Sequence, residues 1–425
     1  MSRMHGSQNG NAGRGRGRRE RKPRAAVVIA VVALVSLAAV AYSSGTAERP
    51  PSEDQRPGTA PSPEASPSEP AASFPTAAFA DISEDPVSEE VAAKFQAALR
   101  DMAGGGGIAA TVMSPDGTWS GAAGKADGVR DVRVNDQFAI GSVTKSVIAA
   151  QVMQMVTAGE LDLDDPATDH LPPDLDFDTN GATIRQLLGH RSGIPDYYPR
   201  LLESLSTDRQ RAWLNPALRG LEPADLLELV PDDRAPAGEE FGYTDTNYLL
   251  LGLVIEQIRG RPVGDVLRDG VLSIDGVERL IYQPDEVPTQ PIAMPYGEST
   301  AALKKGGGYL PSLAAASADG AAAAMASDAP SLASWWRALC AGEIVSQASL
   351  TEMSTFHDGY GLGLINPGDP YAQGVGHTGE GFGESYVSWA GCLPADGAVV
   401  VVLSNRWVDD TGGMARPLVL AARPD

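Results

Sequence analysis

Cysteine, histidine and basic residues are scarce in this chain of 425 residues. Two cysteines and five histidines without zinc-ligand spacing exclude a cysteine-rich metal module, and neither a metal nor a cofactor is predicted. Lys and Arg number 33 against 55 Asp and Glu, and the formal net charge of −22 argues against nucleic acid as a partner. No G-x-S-x-G sequence occurs, which excludes the nucleophile elbow of an α/β-hydrolase.

The basic residues that are present concentrate at the N-terminus. Residues 1–24 include eight Lys or Arg and one Glu, and residues 25–42 (AAVVIAVVALVSLAAVAY) contain no charge. That length is the lower limit for a membrane-spanning helix and the upper limit for a signal segment. The basic leader favours an uncleaved anchor with its positive end in the cytoplasm, and cleavage after Ala41 is the alternative. Both interpretations place the rest of the chain outside the cytoplasm.

Residues 43–85 are dominated by Pro, Ser, Ala and Glu. We predict a disordered spacer, because such a segment cannot bury enough apolar surface to fold. The folded domain is therefore predicted to cover residues 86–425. It begins with a helix whose apolar residues, from Val87 to Met102, share one face, with Asp85 as the cap and Pro86 in the first turn.

Strand patterns occur near both ends of this domain. The segments IAATVM and TWSGAA flank the turn SPDG, and ESYVSWAGC and AVVVVLSN flank the turn PADG. Between these hairpins, residues 142–340 have mainly helical patterns. The predicted fold is α+β: an antiparallel sheet built from both chain ends and flanked by terminal helices, with an all-helical subdomain inserted.

Cys340 and Cys392 both lie in the part that is predicted to be exported. An oxidising compartment permits a disulfide between them, which would stabilise the fold by about 4 kcal/mol in the chain-entropy model. Two separate buried thiols are the alternative, and the sequence does not decide between them.

Ser142 and Lys145 stand in the otherwise apolar segment FAIGSVTKSVIAA. Residues three apart share a helix face, so the hydroxyl and the amine can meet. Burial penalises the ammonium and lowers its pKa, which would let a neutral Lys145 accept the proton of Ser142. Taken alone, S-x-x-K is a weak signal, and a first-turn lysine that reaches solvent is the alternative.

Further fragments strengthen the catalytic interpretation. Tyr243 precedes an apolar helix in FGYTDTNYLLLGLVIEQ, and His377 begins HTG in the glycine-rich segment VGHTGEGFGESYVSWAG. With TIRQLLGHRSGIPDY ahead of both, the order and spacing from about residue 90 onward resemble the serine β-lactamase-related family. This family holds class C β-lactamases, serine D-Ala-D-Ala carboxypeptidases and related esterases. Its motifs S-x-x-K, Y-x-N and H-T-G are matched at 142–145, in part at 243–245, and at 377–379.

The resemblance implies a β-lactamase/transpeptidase-like fold and a role for each matched residue. Ser142 would attack a carbonyl and form an acyl-enzyme, while Lys145 and Tyr243 would transfer protons. The backbone N–H groups of Ser142 and Glu380 would form the oxyanion hole. The substrate would contact Asp245, His377, Thr378 and Gly379.

Two residues depart from the family pattern. Asp245 replaces the Asn of the second motif, and a carboxylate cannot donate the hydrogen bond that Asn gives to a substrate carbonyl. Asp245 would instead pair with Lys145 and hold it charged. Glu380 adds negative charge where a carboxypeptidase binds the carboxylate of its substrate. A compensating cation would have to come from Arg191 or Lys304-Lys305.

Three functions are consistent with the resemblance. The first is an exported, monomeric serine hydrolase that resembles D-Ala-D-Ala carboxypeptidases, acts on cell-wall peptides and is acylated by β-lactams. The second is an esterase or β-lactamase on the same scaffold, which Asp245 and Glu380 favour. The third is a non-catalytic ectodomain that binds peptidoglycan. The expected partners are a small acyl or peptide substrate and, through the N-terminal segment, the membrane.

Overall fold

A computed structural model describes residues 73–204, 220–283, 285–288, 292–296, 313–368, 374–381 and 386–422. The predicted leader (1–24), the predicted anchor or signal segment (25–42) and most of the predicted spacer lie outside these ranges. Within the described residues, no helix has both the length and the apolar character needed to cross a bilayer.

Helices and strands are mixed along the chain, as the α+β prediction requires. The α-helices of the described residues are α1 Glu89–Ala103, α2 Thr144–Thr157, α3 Ile184–Leu188, α4 Tyr198–Ser204, α5 Pro223–Leu227, α6 Asp245–Arg259, α7 Val263–Asp269, α8 Leu313–Ala323, α9 Ala329–Cys340, α10 Gln347–Met353 and α11 Arg416–Ala422. The strands are β1 Gly107–Ser114, β2 Gly117–Gly124, β3 Phe138–Ala139, β4 Ile281–Tyr282, β5 Met325–Ser327, β6 Val375–Gly381, β7 Tyr386–Leu393 and β8 Ala398–Ser404. Short 3₁₀ turns cover Thr76–Phe79, Gly141–Val143 and Ala167–His170.

Five strands form an antiparallel sheet in the order β2-β1-β8-β7-β6. Both predicted hairpins are present. Strand β1 of the first hairpin pairs with β8 of the second, which joins the two ends of the chain in one sheet. Strand β6, with the sequence VGHTGEG, lies at one end of this order.

Helices cover both faces of this sheet. Helices α1 and α11 pack on one face, around Phe95, Trp119 and Leu418. Helix α9 packs on β1, β7 and β8 and carries the fully buried Trp335 and Trp336. These two tryptophans belong to the larger core, which continues into the helical region. The sheet is thus held between the terminal helices and the helical region.

The described residues between 142 and 340 are mainly helical, but the region is not all-helical as predicted. It also contains β4 and β5, and β5 pairs with β3 on one side and with β4 on the other in a second antiparallel sheet of short strands. The Met325 N–H in β5 donates a hydrogen bond to Thr144 Oγ1 at 3.2 Å. This small sheet therefore supports the start of α2.

The start of the folded domain differs from the prediction. Ser88, rather than Asp85, caps α1: its Oγ accepts a hydrogen bond from the Val91 N–H at 3.3 Å. Phe74 and Phe79 are buried in the larger core. The last part of the predicted spacer therefore belongs to the fold, and the boundary predicted at residue 86 is too late. Two phenylalanines among many Pro, Ser and Ala gave no periodic pattern that would mark this segment as folded.

A disulfide joins Cys340, the last residue of α9, to Cys392 in β7. The two residues are 52 apart in sequence, and both are fully buried. Replacing both with alanine is expected to lower the free energy of unfolding by about 4 kcal/mol, because the unfolded chain regains the entropy of the opened loop. Urea denaturation measures this change, with reduced wild type as the control. An unchanged free energy of unfolding would contradict the expectation.

Candidate active site

Ser142 lies in the 3₁₀ turn Gly141–Val143 that leads into α2, and Lys145 is the second residue of that helix. Lys145 Nζ lies 2.9 Å from Ser142 Oγ. One helical turn therefore brings the hydroxyl and the amine into contact. Lys145 is fully buried, so the alternative of a lysine that reaches solvent is wrong.

Three elements converge on the Lys145 side chain. Besides Ser142 Oγ in the 3₁₀ turn, Lys145 Nζ donates to Asp245 Oδ1 at 2.6 Å and to the carbonyl oxygen of Ala322 at 3.1 Å. Asp245 is the first residue of α6, and Ala322 lies near the end of α8. All three hydrogens of the ammonium therefore have acceptors.

The pKa of Lys145 is raised although the residue is fully buried. Burial is the largest single effect and lowers the pKa, but the nearby Asp245 carboxylate and the Tyr243 phenol together raise it more. An anion at hydrogen-bond distance stabilises the charged form of an amine. Lys145 is therefore an ammonium in this site, which corrects the prediction of a neutral amine. The structure contains the pairing of Asp245 with Lys145 that the sequence predicted.

Tyr243 reaches the same place from the segment ahead of α6. Thr244 caps that helix, with its Oγ1 accepting a hydrogen bond from the Thr246 N–H at 3.2 Å. Lys145 Nζ lies 4.9 Å from the centroid of the Tyr243 ring. Although 44% of Tyr243 is exposed, desolvation raises its pKa, and Lys145 and Ser142 oppose that shift. Tyr243 thus lines the cleft beside the Ser142–Lys145 pair.

Strand β6 brings the third motif against the Ser142 turn. A β-carbon on Gly379 would lie 1.9 Å from the carbonyl oxygen of Ile140. A β-carbon on Gly141, whose φ is +53°, would lie 2.4 Å from the carbonyl oxygen of Glu380. The two glycines therefore allow backbone to approach backbone. The Glu380 backbone therefore lies beside the Ser142 turn, and the N–H groups of Ser142 and Glu380 remain the candidate oxyanion hole.

Gly379→Ala is expected to slow acylation of Ser142 by about 100-fold, because the added methyl would push β6 away from Ile140 by about 1 Å. The rate of covalent labelling by a fluorophosphonate measures the effect. Gly381→Ala on the same strand is the matched control, since its β-carbon would meet the nearest atom, in Tyr386, at 3.7 Å. Equal losses in the two variants would contradict the prediction.

His377 has a different role from the predicted contact with substrate. It is 2% exposed; its Nδ1 donates to the Thr378 carbonyl, and its Nε2 accepts a hydrogen bond from the Tyr360 hydroxyl at 3.0 Å. Burial, and then the charge of Lys145, lower the pKa of His377 to about 3. His377 is therefore a neutral, buried group that holds Tyr360. On this strand a substrate can reach Thr378, which is half-buried, and Glu380, which is exposed.

His190 completes the site beneath Tyr243, a role that the sequence analysis did not assign. Its Nδ1 accepts a hydrogen bond from the Thr244 N–H at 3.3 Å. Its ring centroid lies 4.2 Å from that of Tyr243 and 4.8 Å from that of Tyr360. Burial, and then Lys145, lower the pKa of His190 well below its usual value, so this ring is neutral. The sequence feature that could have indicated this role is the position of His190 in the fragment GHRSG.

Two further carboxyl groups lie near the Lys145–Asp245 pair. Asp319 in α8 is 4% exposed, and its Oδ2 has no hydrogen-bond partner among the described residues. Burial, and then the charge of Asp245, raise the pKa of Asp319 to about 8 and that of Asp196 to about 7. In the described part of the chain, no group of three or more His, Cys, Asp or Glu is arranged to hold a metal ion.

Arg191 and Lys304-Lys305 are the cations that the sequence analysis named as able to balance this acidity. Arg191 pairs with the carboxylate of Asp358. Lys304-Lys305 lies outside the described residues. Among the described residues, the carboxyl groups of Asp196, Asp245 and Asp319 therefore surround the Lys145 ammonium.

The site combines a serine, a lysine and a tyrosine where an antiparallel sheet meets a helical region. This combination defines a serine hydrolase with the β-lactamase fold. The family model described as Beta-lactamase matches residues 91–423, and the chain belongs to this family.

Individual relatives cover different shares of the chain. Penicillin-binding protein 4 of Amycolatopsis lactamdurans is 32% identical over 166 residues, which are 38% of this chain and 40% of that protein. The chain thus matches less than half of that relative. D-amino acid amidase from Ochrobactrum anthropi SV3, complexed with L-phenylalanine amide, has a similar structure with a TM-score of 0.63 and 24% identity, over 78% of this chain and 98% of that one. The octameric penicillin-binding protein homologue from Pyrococcus abyssi has a similar structure with a TM-score of 0.61 and 23% identity. The match covers 78% of this chain and 77% of that one. These two likenesses show the fold.

Proposed function

We propose that this chain is an exported serine hydrolase that cleaves amide bonds of D-amino acid derivatives through an acyl-enzyme on Ser142. The observation that carries the proposal is the contact of 2.9 Å between Lys145 Nζ and Ser142 Oγ, with Tyr243 beside it. The similarity to a penicillin-binding protein and to a D-amino acid amidase supports this substrate class. The Cys340–Cys392 disulfide supports export, since such bonds persist in oxidising compartments.

The site supplies each step of the acyl transfer. Ser142 Oγ attacks the carbonyl carbon, and the N–H groups of Ser142 and Glu380 stabilise the oxyanion. Because Lys145 is charged, it gives one proton to Asp245, 2.6 Å away, as it takes the proton of Ser142. Tyr243 protonates the leaving nitrogen as the C–N bond breaks and is reprotonated from Lys145. Water then hydrolyses the ester of Ser142 through the same groups.

Removal of a terminal D-Ala from cell-wall peptides is the specific activity that the sequence resemblance suggests. Asp245 and Glu380 weigh against it, because both put negative charge where such a substrate brings a carbonyl oxygen and a carboxylate. Arg191, which could have offset this charge, already pairs with Asp358. Esterase activity needs no carboxylate site and is the second candidate, favoured by the same two residues.

Intact-mass analysis after incubation with a β-lactam, and separately with a fluorophosphonate, tests the proposal. The expected result is a covalent adduct that maps to Ser142 by peptide mass and is absent from the Ser142→Ala variant. An adduct that survives this substitution would exclude Ser142 as the nucleophile. No adduct with either probe would reject acyl transfer and favour the peptidoglycan-binding ectodomain.

A further inference from the structure

We propose that Asp245 selects substrates with a free α-ammonium group beside the scissile carbonyl over substrates whose α-nitrogen is acylated. The preferred class would be D-amino acid amides and short peptides cleaved after an amino-terminal D-residue. This inference rests on the proposed acyl transfer at Ser142 and names the group that recognises the substrate.

Asp245 lies close enough to the nucleophile to contact the α-nitrogen. Lys145 Nζ bridges the two, at 2.9 Å from Ser142 Oγ and 2.6 Å from Asp245 Oδ1. In an aminoacyl substrate the α-nitrogen lies about 2.5 Å from the carbonyl carbon. The attacking oxygen must approach that carbon to about 3–3.5 Å. A substrate positioned for attack by Ser142 therefore brings its α-nitrogen into the surroundings of the Asp245 carboxylate.

Asp245 also has capacity to accept another hydrogen bond. Its side chain is 22% exposed, and Lys145 contacts one of its two oxygens. An ionised carboxylate offers about four acceptor sites, so the exposed part can accept from a substrate N–H. Charge-assisted hydrogen bonds of this kind are about twice as strong as neutral ones.

The chemistry of the second motif gives the direction of the selectivity. An Asn at this position donates to the carbonyl of an acyl group, and that carbonyl exists only when the α-nitrogen is acylated. Asp245 cannot donate while it is ionised, but it accepts from the N–H groups of an ammonium. An acyl carbonyl would instead face the carboxylate oxygen, which is repulsive. The change from Asn to Asp thus favours one substrate class and disfavours the other.

The surrounding charges favour a cationic ligand. The charge of Lys145 is already matched by Asp245, and the carboxyl groups of Asp196 and Asp319 lie within electrostatic reach of the pair. His190 and His377 are neutral, because burial lowers the pKa of both rings. The raised pKa values of Asp196 and Asp319 leave these two carboxyl groups partly or mostly protonated near neutral pH. A substrate ammonium would favour their ionised forms, which would then balance its charge.

The kinetic test compares D-alanine p-nitroanilide with N-acetyl-D-alanine p-nitroanilide on the full-length wild type and the Asp245→Asn variant. Wild type should prefer the free amine in kcat/KM by about 10- to 100-fold, and Asp245→Asn should abolish or reverse this preference. Because a change in Lys145 protonation acts on both substrates, the ratio isolates recognition of the α-nitrogen. Asp164→Asn, which removes a carboxylate paired with Arg185, is the matched control and should keep the wild-type ratio.

A binding measurement separates this inference from the proposed function. D-alaninamide and N-acetyl-D-alaninamide are titrated by calorimetry into Ser142→Ala, with and without Asp245→Asn. Tighter binding of the free amine that is lost with Asp245→Asn supports the inference. Failure of the free amine to bind more tightly than the acetylated compound overturns it, even if the covalent probes label Ser142. Absence of labelling together with amine-selective binding would overturn acyl transfer alone.

Discussion

Replacing Lys145 with methionine is expected to slow acylation of Ser142 by about 10²–10⁴-fold, the range for loss of a positioned acid–base group. Lys145 Nζ contacts Ser142 Oγ, and the methionine thioether can neither donate to it nor accept its proton at useful strength. Methionine adapts to irregular buried space, so the fold should tolerate the change in shape. The second-order rate constant for labelling by a fluorophosphonate measures the loss.

The methionine variant also leaves the Asp245 carboxylate without its ammonium partner, which would destabilise the fold. The double variant Lys145→Met/Asp245→Asn removes that unpaired charge and separates catalysis from folding. Thermal unfolding confirms which variants are folded at the assay temperature. A folded double variant that is acylated within tenfold of the wild-type rate would show that Lys145 does not carry the proton.

The strands were predictable because their signals are local. The turns SPDG and PADG are flanked by runs that fit buried strands, and both hairpins form. The pairing of β1 with β8 joins residues nearly 300 positions apart, such as Ala109 and Leu403. The strand patterns at both chain ends predicted a common sheet, but no local pattern shows that β1 is the strand that pairs with β8. The three-stranded sheet of β3, β4 and β5 was missed because strands of two or three residues are too short to show a period.

The central contact of the site was predictable for the same reason, since Ser142 and Lys145 are one helical turn apart. The charge of Lys145 was indicated only by the replacement of Asn with Asp245 in the second motif. The pairing itself depends on a contact with a residue 100 positions further along the chain. Asp319 could have been found by the reasoning that singled out Lys145. It is the one charged residue in the apolar run AAASADGAAAAM. The burial of His377 depends on Tyr360 from another segment, which the H-T-G motif does not reveal.

Asp245 connects the protonation of Lys145 with the selection of substrate. The same carboxylate that raises the pKa of Lys145 also presents its exposed part to the cleft. A substrate ammonium that bonds to Asp245 would weaken its hold on Lys145 and make the lysine easier to deprotonate. The same ammonium would make Asp245 a weaker acceptor for the proton of Lys145, so the two effects oppose each other in the proton transfer from Ser142.

Replacing Asp245 with asparagine is therefore expected to move the acidic limb of the pH profile of kcat/KM to lower pH by about 1–3 units. Asp245 raises the pKa of Lys145, and without it only Tyr243 opposes the effect of burial, so that pKa falls. In the wild type, Lys145 must pass a proton to Asp245 before or as it accepts the proton of Ser142. A neutral Lys145 in the variant can accept that proton directly, so more of the variant is active at neutral pH. p-Nitrophenyl acetate is the suitable substrate, because it has no α-nitrogen for residue 245 to recognise.

The matched control for this profile is Asp196→Asn, which removes a nearby carboxyl group and leaves the Lys145–Asp245 contact in place. Its acidic limb should stay near the wild-type position. A limb that does not move in Asp245→Asn would show that the ionisation of Lys145 does not limit acylation. Loss of activity at every pH would show that Asp245 is needed as the final proton acceptor, because an asparagine amide cannot take the proton that Lys145 must release.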